Sequence, residues 1–368
     1  MSSLLDVELV ARLMALWVHR PRGPTRLVMD LTRRCNLRCA MCHTWRVEPG
    51  HELTAGEVRA LLGQMPDLTW LDITGGEVFL RGDAVELFDA VLDASPSLKV
   101  LHFPTNGWFT RRVLEATERV RSRRPEVALI VTVSVDGPPA LHDRIRGRAG
   151  SFARAMATWR GLRAVPGVDV YLGTTLTPDN RAHLDALEAT LRAEHPDFHP
   201  VLWHWNWLQV SEHFFANGHL RGAEGTPAEA GRLVREHLRR RGAPRTAVEL
   251  MELAFLVNLD AYRRGEPSGV PCQAMHSAAF LSPEGVLYPC HVWDRPLGDL
   301  RRRTVDDVWN DPATLQARQD VLDRLACGGC FTPCEAYPAL AGAPLHAAAQ
   351  TARRGLALVT DLVRGRLR

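Results

Sequence analysis

The segment CNLRCAMC (35–42) places three cysteines in eight positions, with the spacing CxxxCxxC. It follows a short apolar run, TRLVMDLT (25–32), that reads as a strand. Three thiols on one tight loop suggest a disulfide, a zinc site or an iron–sulfur cluster. A disulfide leaves one thiol over and needs an oxidising compartment. The start, SSLLDVELVARL, carries Asp6 and Glu8 and has neither the basic start nor the cleavage site of a signal peptide, so a reducing cytoplasm is expected. A structural zinc site closes with four ligands, usually from two paired motifs. Three thiolates on one loop hold three irons of a [4Fe–4S] cube and leave the fourth iron open.

The chain beyond the loop alternates. Strands are predicted at 25–32, 68–74, 98–105, 127–135, 168–176 and 199–210, with helices at 53–65, 84–94, 111–122, 151–164 and 181–195 between them. Thr54 is placed to cap the first of these helices, with Glu57 three residues on. Six such units predict an α/β fold with a parallel sheet and right-handed crossovers, a partial (β/α)6 TIM-type barrel. In such sheets the chemistry sits at the C-terminal strand ends. The cysteine loop, Gly75-Gly76-Glu77, Thr105-Asn106-Gly107 and the Asp136-Gly137 turn all fall there. A net charge of +3 over 368 residues implies no nucleic-acid partner, and no apolar run is long enough to span a bilayer.

These motifs, in this order over residues 25–210, resemble those of the radical S-adenosylmethionine (SAM) superfamily. The resemblance implies that Cys35, Cys39 and Cys42 hold a [4Fe–4S] cluster whose open iron is chelated by the amino and carboxylate groups of SAM. Met41 stands where relatives usually have an aromatic before the third cysteine. Gly75, Gly76 and Glu77 match the glycine-rich turn that meets the SAM ammonium. Thr105 and Asn106 end the third strand as in many relatives, and Ser134 and Asp136 match positions facing the SAM ribose and carboxylate. Arg146, in HDRIRG (142–147), is placed to pair with that carboxylate. The implied activity is reductive cleavage of SAM to a 5′-deoxyadenosyl radical, which takes a hydrogen atom from the substrate. The implied electron donor is a flavodoxin or ferredoxin-type protein.

A second cysteine group lies far along the chain: Cys272, a hairpin with Gly285, Cys290, then CGGCFTPC with Cys327, Cys330 and Cys334. It resembles the C-terminal twitch/SPASM extension of some radical SAM enzymes. The full form uses seven cysteines and two auxiliary clusters. Five thiols here imply one auxiliary [4Fe–4S] cluster, on Cys272, Cys290, Cys327 and Cys330. Cys334 is then spare, able to replace Cys327 or Cys330, or to act on the substrate as a catalytic thiol. A zinc knuckle is the alternative for this group.

The expected units are an N-terminal amphipathic helix (1–24), the barrel (25–210), a helical connector (211–268), the auxiliary-cluster domain (269–340) and a basic amphipathic C-terminal helix (341–368). WHWNW (203–207) puts three tryptophans on one strand face and His204 and Asn206 on the other. Packing against helices and lining a substrate site are both open for either face. His102 is open between the cavity and the core, and 211–219 reads as a lid. The favoured substrate is a small molecule, sugar or lipid intermediate. The terminal helices, with Arg353, Arg354, Arg364, Arg366 and Arg368, suit a membrane surface, and the segment before Cys35 leaves no room for a peptide-recognition domain. The alternative is a maturase of a ribosomally synthesised peptide. A non-catalytic zinc-binding scaffold is the remaining rival.

Overall fold

A computed structural model describes residues 21–223, 225–242, 244, 247–263, 266, 270–323 and 332–363. Six parallel strands, β1 (Arg26–Asp30), β2 (Trp70–Thr74), β3 (Val100–Thr105), β4 (Ala128–Ser134), β5 (Val168–Leu176) and β6 (Trp203–Trp207), lie side by side in chain order. Helices α1 (Ala55–Leu62), α2 (Ala84–Ala94), α3 (Thr110–Arg123), α4 (Pro139–Arg146), α5 (Ser151–Arg163) and α6 (Leu184–Glu194) connect them. This is the expected partial (β/α)6 barrel. Thr54 and Glu57 close a reciprocal capping box at α1, and α4 is a helix beyond those read from periodicity.

The period-2 alternation of strand side chains divides each strand between two environments. Leu27, Met29, Leu71, Ile73, Leu101, Phe103, Leu129 and Val131 turn outward and are buried under the helices. At about 1.5–3 kcal/mol per buried side chain, this outer layer holds the fold. The inward set is polar: Arg26, Asp72, Thr74, His102, Thr132 and Ser134 line the interior beside Trp70, Pro104 and Ile130. Stability is concentrated outside the sheet, which leaves the inside free for chemistry.

The alternation also settles WHWNW. Trp203, Trp205 and Trp207 are buried in the helix-facing layer, with Trp205 stacked on His237 at 4.0 Å between ring centroids. His204 and Asn206 line the interior, and Trp207 also reaches the cavity wall.

Beyond β6 the chain forms α7 (Pro227–Arg241) and α8 (Ala247–Arg263). It then returns to the other edge of the barrel. β7 (Ala278–Leu281) pairs in parallel with β1, and β8 (Val286–Tyr288) and β9 (Gly298–Asp299) follow antiparallel. The cysteine-bearing hairpin thereby prolongs the barrel sheet and covers an edge that would otherwise leave backbone groups unpaired. Helices α9 (Val305–Trp309), α10 (Pro312–Asp323), α11 (Pro333–Gly342) and α12 (Pro344–Val363) complete the described chain. Trp70, Val100 and Ala128, at the strand starts, pack on Met251 of α8 and on Tyr337 and Ala341 of α11, so these helices floor the barrel.

The predicted N-terminal helix up to residue 20 lies outside the described residues, as do Arg364, Arg366 and Arg368. Of the arginines expected at a membrane surface, Arg354 is buried instead and donates to Asn258 of α8, because α12 packs against that helix. Among the described residues no helix is long and apolar enough to cross a membrane.

Candidate active site

The cysteine loop sits on the C-terminal strand ends. Gly76 N donates to Thr32 O at 2.6 Å and Glu77 N to Arg34 O at 2.9 Å, so the glycine turn lies directly under the loop. Gly75 holds φ +145°, and a Cβ there would stand 2.6 Å from Thr32 O; a Cβ on Gly76 would stand 2.3 Å from Arg34 O. Only glycine permits this backbone contact. Cys35, Cys39, Met41 and Cys42 line one end of the interior cavity.

Glu77 follows the two glycines beyond the end of β2. It is 2% exposed and absent from the cavity wall, and both oxygens are occupied: Thr105 Oγ1 donates at 3.1 Å and Asn106 N at 2.8 Å. Burial lifts its carboxyl to about 7, against the lowering by these donors. Glu77 ties the β2 end to the β3 end. From this tie Asn106 Nδ2 reaches Asn36 Oδ1 at 2.9 Å and Cys35 Sγ at 3.9 Å.

On the opposite rim Asp136 is fully buried and off the cavity wall. It accepts from Arg146 Nε at 2.5 Å and Thr175 N at 2.9 Å. Arg146 lines the cavity, with Nη1 3.7 Å from Cys39 Sγ. His142 accepts the Asp136 backbone amide at 3.0 Å; burial lowers its pKa to about 4, so it stays neutral. Asn180, which carries no sequence signal, donates to Asp136 O at 3.0 Å and Thr175 O at 2.8 Å. Gly75, Gly76, Thr105, Asn106 and Ser134 all line the cavity.

The three thiols are unbridged, and burial is the main cause that pushes Cys35 and Cys42 to about 12 and raises Cys39. Cys39 adds to the rise at Cys35, and Cys39 and Cys35 to that at Cys42. The three thiols line one end of a cavity of about 340 Å³, where they would hold a [4Fe–4S] cluster beside space for a small molecule.

The segment expected as a lid is a strap. Asn217 Nδ2 donates to Met41 O at 2.9 Å, and Phe215 O accepts from His43 N at 2.8 Å. His213 stacks on Tyr288 and meets Cys290 O at 3.0 Å, joining the first cysteine loop to the second group. Cys272 and Cys290 sit in one small core with Ala274 and Val321. Cys334, at the start of α11, faces the barrel cavity beside Arg26. Cys327 and Cys330 lie outside the described residues.

Comparison with known proteins agrees with this arrangement. The radical SAM superfamily model matches residues 29–190, and an iron–sulfur cluster-binding domain, SPASM, matches residues 272–331. The chain belongs to the radical SAM superfamily and carries a SPASM-type module. It is an enzyme using a [4Fe–4S] cluster with SAM, together with auxiliary iron–sulfur chemistry. It is similar to the antilisterial bacteriocin subtilosin biosynthesis protein AlbA of Bacillus subtilis, with 24% identity over 84% of this chain and 67% of that protein. It is similar to the mycofactocin maturase MftC of Mycobacterium ulcerans, with 26% identity over 87% and 84%. Pre-heme d1 synthase of Dinoroseobacter shibae is 34% identical over 44% of this chain and 39% of that protein. In fold it resembles Streptococcus suis SuiB bound to precursor peptide SuiA, with TM-score 0.57, 15% identity, and 85% and 70% coverage.

Proposed function

We propose that this chain is a maturase of a ribosomally synthesised peptide, in place of the small-molecule or lipid enzyme expected first. One observation carries the reading: AlbA and MftC, each aligned over more than four-fifths of this chain, are named for bacteriocin biosynthesis and mycofactocin maturation. The cavity supports it, since His102, His204 and Asn206 beside Trp70, Trp207, Phe214 and Phe215 suit an amino-acid side chain.

In this reading Cys35, Cys39 and Cys42 ligate the first cluster. When bound, that cluster and SAM supply the 5′-deoxyadenosyl radical that removes a hydrogen atom from an unactivated C–H bond. Gly75 and Gly76 offer backbone to the SAM ammonium, while Thr105, Asn106 and Ser134 border the cofactor and Met41 packs on it. Arg146, aimed by Asp136, meets the SAM carboxylate. Cys272, Cys290, Cys327 and Cys330 hold the auxiliary cluster, and Cys334 is a cavity thiol.

The test is anaerobic incubation of reconstituted protein with SAM, a reductant and precursor peptides encoded beside its gene, read by mass spectrometry. A changed peptide mass matched by 5′-deoxyadenosine supports the reading. Turnover with a tetrapyrrole or a lipid intermediate and none with peptide overturns it. Iron content checks the ligands: about eight irons per chain should fall to about four in Cys35/Cys39/Cys42→Ala.

A further inference from the structure

The barrel interior holds a polar array that the cofactor roles above leave unused. Asp72 of β2 accepts at Oδ2 from Arg26 Nε at 3.0 Å and Nη2 at 2.7 Å. Its Oδ1 lies 2.8 Å from His102 Nδ1, and His102 Nε2 lies 3.1 Å from Thr132 Oγ1. Arg26 and Asp72 are 3% and 6% exposed, whereas the His102 side chain is 26% exposed and borders the cavity. Burial alone would raise the Asp72 carboxyl, but Arg26 and His102 outweigh it and hold the group below its usual range. An ionised carboxylate only accepts, so His102 Nδ1 donates to it, and Nε2, which the Thr132 hydroxyl faces at 3.1 Å, is the acceptor side of the ring.

His102 of β3 precedes Asn106, the residue just past the strand's end, by four positions. At 3.3 Å per residue it stands roughly 13 Å deeper in the barrel than the amide that touches Cys35. His102 borders the cavity at that depth. Other titratable groups on the same cavity wall are His204 from β6, Cys334 and Tyr337, whose hydroxyl donates to Glu252 of α8. Burial keeps His204 neutral, and its Nε2 has no partner. His291, 3.5 Å from Glu335, adjoins Cys290 and belongs to the second cysteine group.

We infer that His102, oriented by Asp72, is the proton acceptor that turns hydrogen-atom abstraction into a net two-electron oxidation of the peptide. The balance is as follows. The C–H bond breaks and its hydrogen atom leaves as part of 5′-deoxyadenosine. A neighbouring S–H, O–H or N–H of the peptide then gives its proton to His102 Nε2, and its electron pair forms the new bond to the radical carbon. The one surplus electron goes to an iron–sulfur cluster as oxidant. Asp72 stabilises the imidazolium, and Arg26 keeps Asp72 ionised. The inference takes its substrate class from the peptide reading.

Two measurements test it. Nitrogen-15 spectra of the histidine-labelled holoenzyme should show His102 as the Nδ1–H tautomer, and Asp72→Asn should abolish that state; an Nε2–H tautomer in the wild type overturns the inference. In single turnovers, His102→Gln should lower the ratio of modified peptide to 5′-deoxyadenosine at least 100-fold, the scale of a lost general base. Added imidazole should restore modification to His102→Ala. Equal loss of 5′-deoxyadenosine and product, with no rescue, would make His102 structural and overturn the inference. Failure of the wild type on every peptide sinks the substrate reading separately; the same split is then read on whichever substrate it turns over.

Discussion

Arg146 is locked onto Asp136: its Nε donates to the carboxylate at 2.5 Å while Nη1 stands 3.7 Å from Cys39 Sγ. The pair connects the end of α4 to the end of β4 and carries that register to the cysteine loop. It also leaves a buried guanidinium at the rim of the cavity, with its charge matched by a carboxylate that never reaches the cavity wall.

Asp136→Asn removes one partner of this buried pair and should cost about 3–5 kcal/mol of stability, read as a lower thermal midpoint. SAM affinity should fall at least tenfold because the guanidinium loses its aim. Arg146→Gln in the same chain should recover part of the stability but none of the affinity. Additive stability losses would show that the two side chains do not act as a pair.

Gly76→Ala should sharply lower the iron retained after anaerobic reconstitution, because its Cβ would stand 2.3 Å from Arg34 O and displace the cysteine loop. Gly82→Ala is the control, since nothing lies within 4 Å of a Cβ there. Equal iron content in the two variants would contradict the close packing of the turn beneath the loop.

Asp30 supplies a pH signature. It is fully buried, Oδ2 has no partner, and burial lifts its carboxyl to about 8 despite Arg33 nearby. The folded state therefore holds a proton that the unfolded chain gives up near pH 4. The stability this proton contributes is full at pH 4 and is lost as pH rises to 8, with a slope of about 1.4 kcal/mol per pH unit. Asp30→Asn should remove that slope. The difference between wild-type and variant denaturation curves, measured from pH 4 to 8, isolates it from the buried histidines, whose slopes have the opposite sign.

The two faces of β6 should separate in mutagenesis. Trp205→Ala empties the packing against His237 and should cost about 3–5 kcal/mol with little change in KM. His204→Ala should raise KM for the substrate and change the thermal midpoint far less. The reverse pattern would place the tryptophans on the substrate side.

Local spacing carried much of this protein. The six-fold alternation of short strands and amphipathic helices, the Thr54–Glu57 cap, and the convergence of the cysteine loop with Gly75, Asn106 and Arg146 follow from short-range pattern and from the rule that strand ends gather in one place. Other features needed the assembled sheet. Glu77 became a tie between strands because its carboxylate meets Thr105 and Asn106, nearly thirty residues away. The pairing of β1 with β7 joins segments some 250 residues apart, and no local periodicity encodes which edge a returning hairpin covers. The inward turn of His204, and the meeting of Arg26, Asp72 and His102, depend on register. A one-residue slip would exchange both faces of a strand, and only packing the apolar face under the helices fixes it.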